Sequence, residues 1–475
     1  MLCESSILAS TSPRVNAPLA AQSIYLVGIG GSGMSGLARL LRAQGADCAG
    51  TDDAPSAAVD ALRADGIPVQ HRDGDLELPE GTTLVVISAA IPATHPIVLD
   101  AQRRGVNVVK YADALGLLMA NRRGVAIAGT HGKSTTTGML AHVLIQAGSD
   151  PSFIVGATCD QIGGGWRSGG SELLVVEACE YDRSFHRFAA THGVILNVEE
   201  DHLDVYGTLQ GVIESFQTFV RRLPRAGTLL IGHSDSHRTS VTAGALCKVE
   251  TVGFSPEADW VIRIGPDSSG QHVALMRGRE RVCEFVCQVP GDHMAYNAAV
   301  AAVTAQELGV SWEQIEAALA QFRGMDRRMQ LLGLREGVRI VSDYAHHPTE
   351  VDATLRALRH HYRPERGGGR LICVFQPHQH SRTRFLLDQF TASFSQADIV
   401  VVPPIYFSRD SEQDRREVRA EHLVAKLRER GKLALHIEEF AGIVAWLAAE
   451  TRPNDLLVVM GAGSVEKIAS SFLLH

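Results

Sequence analysis

A short apolar run, Val125-Ala-Ile-Ala128, is followed at once by Gly129-Thr-His-Gly-Lys-Ser-Thr-Thr-Thr137. A buried strand that ends in two glycines, a lysine and a row of hydroxyl residues suits a polyphosphate. Glycine lets backbone N–H groups close on phosphate oxygens, Lys133 supplies a mobile positive charge, and a Ser or Thr hydroxyl ligates Mg2+. The stretch calls for a strand–loop–helix unit in an α/β sheet. Its spacing departs from the usual phosphate loop. Five residues before Gly132 stands Ile127, and the glycine available is Gly129. The loop is a shortened one.

At 475 residues the chain has room for several domains, each with its own core. Its 45 basic and 53 acidic residues leave a formal charge of −8, which disfavours nonspecific nucleic-acid binding. No apolar run approaches the roughly 18 residues that a membrane span needs. Met1–Ala20, with Ser, Thr, Pro and a lone Arg14, reads as a disordered leader and not as a signal peptide. The eight cysteines form no CxxC pair, and several fall in strand-like runs such as Leu371-Ile-Cys-Val-Phe375. That usage fits reduced, buried thiols in a cytoplasmic protein.

Residues 21–118 read as a small Rossmann-like domain. Ile24-Tyr-Leu-Val27 leads into Gly28-Ile-Gly-Gly-Ser-Gly33, a helical pattern through Leu37, Leu40 and Leu41, and a second strand ending at Asp52. This fits a dinucleotide fingerprint, and equally any ligand that seats a diphosphate at a helix N-terminus, a UDP-sugar included. Leu84–Ser88 and Val106–Val109 supply further strands.

Residues 119–324 carry the phosphate loop, a helix from Thr137 to Ala147, and strands Leu173–Glu177 and Gly193–Asn197. A carboxylate directly after a buried strand, Glu177, is placed for a Mg2+-organising acid. Ligands of open parallel sheets bind at the carboxyl ends of strands, so Lys133/Ser134, Glu177 and Asn197–His202 together outline a site. The run Glu199–Asp201 reads as solvated charge, with Asp201 left open. Thr228–Val289 alternates short strands with turns, and two helices, an Ala-rich one to Leu308 and Trp312–Phe322, follow.

Residues 325–475 form a second Rossmann-like, parallel α/β domain, with strands near Val338–Ser342, Leu371–Phe375, Ile399–Val402 and Leu456–Met460. Their ends carry Asp343–Pro348, Gln376–Arg384 and Gly461–Ser464. His346, His347, His378 and His380 lack a zinc spacing. Arg382 and Arg384 are better placed as anion clamps, since guanidiniums fork onto carboxylate or phosphate oxygens.

These motifs resemble the Mur ligase family, ATP-dependent amide-bond-forming enzymes of peptidoglycan synthesis. The carriers are Gly28-Ile-Gly-Gly-Ser-Gly-Met-Ser35, Gly129–Thr137, Glu177, Asn197–Asp204 with Tyr206, Gly291–Asn297, Arg327-Arg328, and Asp343–Pro348. Phe375-Gln-Pro-His378 with Ser381-Arg-Thr-Arg384 points within the family to the first amino-acid addition, L-alanine onto UDP-N-acetylmuramate. The resemblance implies three α/β domains: a sugar-nucleotide domain, a central P-loop ATPase-type domain and a C-terminal ligase domain. ATP would lie on Gly129, Thr130, His131, Gly132, Lys133, Ser134 and Thr135, with Asn297 on adenine, Arg328 near the γ-phosphate and Asp343 on the ribose. Mg2+ or Mn2+ would be held by Ser134, Glu177 and His202. The UDP-sugar would lie on Gly28, Gly30, Gly31, Gly33, Met34, Ser35 and Asp52, and the acceptor end on Tyr344, His346 and Arg382. His346 is also the candidate base that deprotonates the amine. Three positions depart from the family pattern: Cys179, Met294 and Gln379 stand where an acid, an asparagine and an arginine are usual.

The implied chemistry is attack of the sugar carboxylate on the γ-phosphorus, then of the amine on the resulting acyl phosphate. Lys133, the metal, Arg328, Glu177 and His202 form its catalytic set. Domain closure would hinge at Gly324–Met325. The implied protein is a cytoplasmic monomer or homodimer without nucleic-acid or membrane partners. Three other readings are an NAD(P)-dependent oxidoreductase, drawn from Gly28–Gly33 and Asp52, a non-catalytic ATP-binding regulator, and a family ligase that adds a recycled peptide to the same sugar nucleotide.

Overall fold

The computed structural model describes residues 19–71, 77–267, 270–408 and 410–474. Of the expected leader, residues 1–18 lie outside this set. Leu19 and Ala20 belong to a 3-10 turn, Leu19–Ala21, with Leu19 buried, so the last two leader residues are built into the fold. The chain divides into two compact units. One comprises residues 1–126, 150–156 and 165–192, the other 127–149, 157–164 and 193–475. The α/β class holds, with the strands arranged in three sheets.

In the first unit, β1 (Ser23–Val27), β2 (Asp47–Asp52), β3 (Val69–His71), β4 (Leu84–Ile87) and β5 (Asn107–Lys110) form a parallel sheet ordered β3-β2-β1-β4-β5. The chain winds outward in both directions from β1. The crevice at such a reversal is where open sheets bind ligands, and the Gly28–Gly33 turn leaves β1 at that point. Tyr25, Val27, Val85, Ile87 and Ile97 pack into one core cluster. The short strand β3 carries no apolar run and was not expected. β6 (Arg123–Ala128) follows, and within this unit β7 (Ser152–Ile154) pairs antiparallel with β8 (Trp166–Arg167) and parallel with β9 (Leu173–Glu177).

In the second unit, β10 (His192–Ile195) precedes β11 (Thr228–Gly232), β12 (Lys248–Gly253) and β13 (Trp260–Pro266), the last three parallel in succession. β14 (Gln271–Arg277) and β15 (Glu280–Cys287) add antiparallel strands, giving the β-rich region that the alternation indicated. The helix after the phosphate loop runs Lys133–Gln146, four residues earlier than the expected Thr137. Gly132, at φ +83°, turns the chain straight into it, so residues that read as loop chemistry form the helix's first turn. It packs on the Ala-rich helix Asp292–Glu307, whose small side chains let the two backbones approach.

The six remaining strands are β16 (Gln330–Arg335), β17 (Val338–Asp343), β18 (Leu371–Phe375), β19 (Ile399–Val402), β20 (Leu433–His436) and β21 (Leu456–Met460), ordered β16-β17-β21-β18-β19-β20. The central strands are apolar throughout because both faces are buried, as parallel strands require. β16 corrects the all-parallel expectation. It pairs antiparallel with β17 across Glu336-Gly337, which sit at φ +47° and +81° and make a two-residue hairpin turn.

Candidate active site

In the first unit the glycine turn is drawn against β2. Gly28 and Ile29 N–H donate to the Thr51 carbonyl at 2.9 and 3.1 Å. Gly30 N–H donates to Asp52 Oδ2 at 2.7 Å, and a Cβ on Gly30 would stand 2.9 Å from that oxygen. Asp52 therefore grips the turn itself. Gly31 caps the helix Ser32–Ala43, where Met34 and Ser35 are buried and a Cβ on Gly33 would press on the Tyr111 ring. Glu177, at the end of β9, accepts the Gly156 N–H at 2.7 Å.

In the second unit the phosphate loop is shaped largely by Asn197. Its Oδ1 accepts His131 N–H at 2.7 Å, its Nδ2 donates to the His131 carbonyl at 3.2 Å, and its own carbonyl accepts Thr130 N–H at 3.0 Å. The Thr130 hydroxyl in turn accepts Glu199 N–H at 2.9 Å. Lys133 Nζ reaches back to the Gly129 and Thr130 carbonyls at 2.5 and 3.0 Å. Ser134 and Thr135 are buried in the helix's first turn. A cavity of about 150 Å³ lies at the loop, walled by Gly132, Asn297, Arg328, Asp343 and Glu350 among others. Asn297 is buried, and a Cβ on Gly132 would come within 2.7 Å of its Oδ1. Met294, where an asparagine is usual, also lines this cavity.

Arg328 is presented by a strained turn. Its neighbours Arg327 and Met329 sit at φ +56° and +50°, a region that side chains with a Cβ avoid. Asp343 holds the turn: Oδ2 accepts Met329 N–H at 2.6 Å while Oδ1 accepts Ala345 N–H at 2.7 Å. Burial lifts the Asp343 carboxyl to about 6, against the pull of Arg328 and the two amides. The guanidinium lies 4.8 Å from the Tyr344 ring centre and donates to Ser134 Oγ at 3.2 Å. The sequence suggested Asp343 as a ribose contact. Its role in setting Arg328 depends on a backbone conformation that no motif displays.

His131 is enclosed by two carboxylates. Nδ1 lies 3.1 Å from Glu350 Oε1 and Nε2 lies 3.4 Å from Glu199 Oε2. Burial acts to lower the imidazole's pKa, but Glu350 and Glu199 overcome it and lift it to about 10. Glu199, which burial would raise, is drawn down to about 2 by His131 and Thr349. For Glu199 the expectation of solvated charge is thus corrected, and Asp201, which the sequence left open, is enclosed against Arg382. Nitrogens of His131 and His347 and an oxygen of Glu199 lie within 4.8 Å of one another, the composition of a metal set.

Tyr344, His346 and Arg382 lie near one another, linked through His378. His346 lies 5.4 Å from the Tyr344 ring and 5.8 Å from that of His378, and Arg382 Nη1 is 3.2 Å from His378 Nδ1. His346 Nδ1 stands 3.0 Å from the Tyr344 carbonyl, to which it must donate, leaving Nε2 as the ring's acceptor. Burial pushes this imidazole down to about 4, so it is neutral near pH 7. Arg382 is buried and binds Asp201 through Nη2 at 2.7 Å and Nε at 3.2 Å. His202 lies beside that pair, its Nε2 3.7 Å from Asp201 Oδ2. Arg384 instead turns to Glu417 and Asp414, so the two arginines do not close on one anion. Gln379, at φ +71°, is buried, and its Nε2 donates to the Ser408 carbonyl at 3.1 Å. Glu350 and Asn197 carry much of this geometry, and neither was singled out from the sequence for it. Glu350 carries no motif of its own, and the span between Asn197 and the loop is invisible to local pattern.

Matches to known families cover most of the chain. The Mur ligase family catalytic domain matches residues 23–123, the Mur ligase middle domain 127–305, and the Mur ligase glutamate ligase domain 327–463. A UDP-N-acetylmuramate–L-alanine ligase of Kineococcus radiotolerans is 42% identical over 95% of this chain and 95% of its own. Another, from Caldanaerobacter subterraneus, is 37% identical over 95% and 97%. Among solved structures, the UDP-N-acetylmuramate–alanine ligase of Thermotoga maritima superposes with a TM-score of 0.78 at 23% identity, covering 96% of this chain and 99% of its own. A murein peptide ligase from Psychrobacter arcticus gives 0.69 at 22%, over 96% and 98%. At these identities the structural likeness concerns the fold.

Proposed function

Because the chain belongs to the Mur ligase family, we propose that it joins L-alanine to the carboxylate of UDP-N-acetylmuramate at the expense of ATP. The observation that carries this reading is the convergence of Lys133, Ser134, Arg328 and Asn297 on one glycine loop, in a chain similar end to end to ligases of that name. An oxidoreductase would leave that convergence without purpose, and similarity along the chain to ligases disfavours a regulator that only bound ATP.

In the first step a carboxylate oxygen bonds to the γ-phosphorus and the β–γ bridging P–O bond breaks, giving an acyl phosphate and ADP. In the second the amine nitrogen bonds to the acyl carbon, the C–O bond to phosphorus breaks, phosphate leaves and nitrogen sheds a proton. Two anions meet in the first step, so positive charge has to be in place beforehand. Lys133 is the loop's mobile charge, and Arg328 is held by its strained turn and by Asp343. The Ser134 hydroxyl and Glu177 carboxylate are hard oxygen donors suited to Mg2+, and the His202 imidazole adds a nitrogen that Mn2+ accepts more readily. A bound divalent ion would supply charge neutralisation at the transferring phosphoryl group. His346, neutral and presenting Nε2, is the group assigned to take the amine proton.

The glycine turn over Gly28–Ser35 with Asp52 is the proposed seat of the UDP-sugar, and Tyr344, His346 and Arg382 the acceptor end. We keep three domains, 21–118, 119–324 and 325–475, with closure about Gly324–Met325. Gly324 sits at φ +116°. We assign the protein to the cytoplasm as a monomer or homodimer. No disulfide links the described cysteines, and no helix among the described residues is long and apolar enough to cross a membrane. The test is oxygen-18 in the sugar-nucleotide carboxylate. One labelled oxygen should appear in the released phosphate, and phosphate free of label would refute the acyl-phosphate route.

A further inference from the structure

Glu350 stands in the first turn of the helix Pro348–Tyr362, where its Oε2 accepts the backbone N–H groups of His346 and His347 at 3.0 and 3.2 Å. A capping carboxylate needs one oxygen for this work. The other, Oε1, turns to the phosphate loop and meets His131 Nδ1 at 3.1 Å. The adjacent Thr349 hydroxyl donates to Glu199 Oε2 at 2.6 Å, the same oxygen that faces His131 Nε2 at 3.4 Å. The contacts close into a ring of His131, Glu350, Thr349 and Glu199. Glu350 Oε2 also lies 3.4 Å from His346 Nδ1. One largely enclosed carboxylate therefore touches both the loop that takes phosphate and the histidine of the acceptor end.

We propose that Glu350 is a positioning residue for the ligase reaction, tying the phosphate loop, through His131, to the backbone that orients His346. The proposal rests on the ligase reading above. Nucleotide seated on Gly129–Gly132 fixes His131, His131 fixes one oxygen of Glu350, and the other oxygen sets the amides at 346 and 347. The acceptor end is then aligned only when the phosphate loop is in register. A side chain that served merely as a cap would need no negative charge, because glutamine caps equally well.

The experiment compares the full-length protein with Glu350→Gln, His131→Asn and the double variant. Melting, ADP binding by calorimetry and ADP formation with both co-substrates are measured for each. Glu350→Gln keeps the cap but removes a partner of the enclosed His131 cation, so it should melt below the wild type while staying folded, and kcat falls about ten-fold or more with a smaller rise in KM for ATP. The double variant should be no worse than the poorer single variant, because both cut the same tie. Wild-type kcat in Glu350→Gln, or losses that multiply in the double variant, would overturn the proposal. Should Glu350→Gln unfold, Thr349→Val opens the same ring with the cap intact, and an unchanged kcat there would count equally against it. If the wild type itself forms no ADP with the sugar nucleotide and L-alanine, the ligase reading fails. The tie is then judged on ADP affinity alone: non-multiplying effects uphold it, multiplying effects refute it.

Discussion

The ion pair between Asp201 and Arg382 offers the sharpest energetic test of how the acceptor end is built. Their side chains are 9% and 6% exposed, and two guanidinium nitrogens reach one carboxylate oxygen at 2.7 and 3.2 Å. Removing one partner strands the other's charge away from water, which costs about 3–5 kcal/mol. Asp201→Asn preserves shape and removes charge, and Arg382→Met preserves much of the stem. Each alone should cost within that range in chemical or thermal unfolding. The double variant strands nothing, so its loss should fall short of the sum by about 2 kcal/mol or more. The pH dependence has a defined sign. Burial would raise the Asp201 carboxyl, but Arg382 holds it well below the ordinary 3.8. A depressed folded pKa gives stability that is present above the unfolded value and lost as pH falls beneath it. The gap between wild type and Asp201→Asn should therefore narrow below pH 3.8. Single-variant losses that add within about 0.5 kcal/mol would refute the reasoning.

Lys133→Ala removes the loop's mobile charge and should lower kcat by about 10²–10³-fold, read as ADP release; unchanged turnover would contradict its role. Gly132→Ala forces a Cβ into a left-handed position at φ +83°, 2.7 Å from Asn297 Oδ1. The backbone cost of about 1–2 kcal/mol, with displacement of Asn297, should weaken ATP binding about ten-fold by calorimetry. Asp343 titrates at about 6 in the fold against an ordinary 3.8. Stability from this raised group is complete below pH 3.8 and is lost as pH rises through about 6. Asp343→Asn should lose one amide contact at every pH, yet melt with a weaker fall between pH 4 and 7 than the wild type, by about 2–3 kcal/mol.

The strands that frame the site were legible because burial on both faces writes them as unbroken apolar runs: Ile24–Val27, Leu173–Val176, Leu371–Phe375 and Leu456–Met460. The edges were not. β3 and β20 are short and β16 alternates weakly, since an edge strand is not surrounded by core. Helix boundaries slipped where residue chemistry outspoke backbone preference. Lys133–Thr136 read as loop because their hydroxyls suit phosphate. In the site, residues local to a motif were visible: Gly129–Thr135, Asn297, Arg328 and Tyr344. What stayed hidden were contacts between segments far apart in sequence. Asn197 on the His131 backbone, Asp343 on the Arg328 turn and Glu350 on the His131 ring each join distant residues, and no single-sequence pattern records such a meeting.

The central claim is that the protein couples ATP cleavage to amide formation between UDP-N-acetylmuramate and L-alanine. ADP formation across a panel of amino acceptors tests it most directly, with UDP-N-acetylmuramate present or omitted. The account predicts turnover with L-alanine and the sugar nucleotide together, and none when either is withheld. Turnover that requires a peptide in place of L-alanine, or that proceeds without the sugar nucleotide, would contradict it.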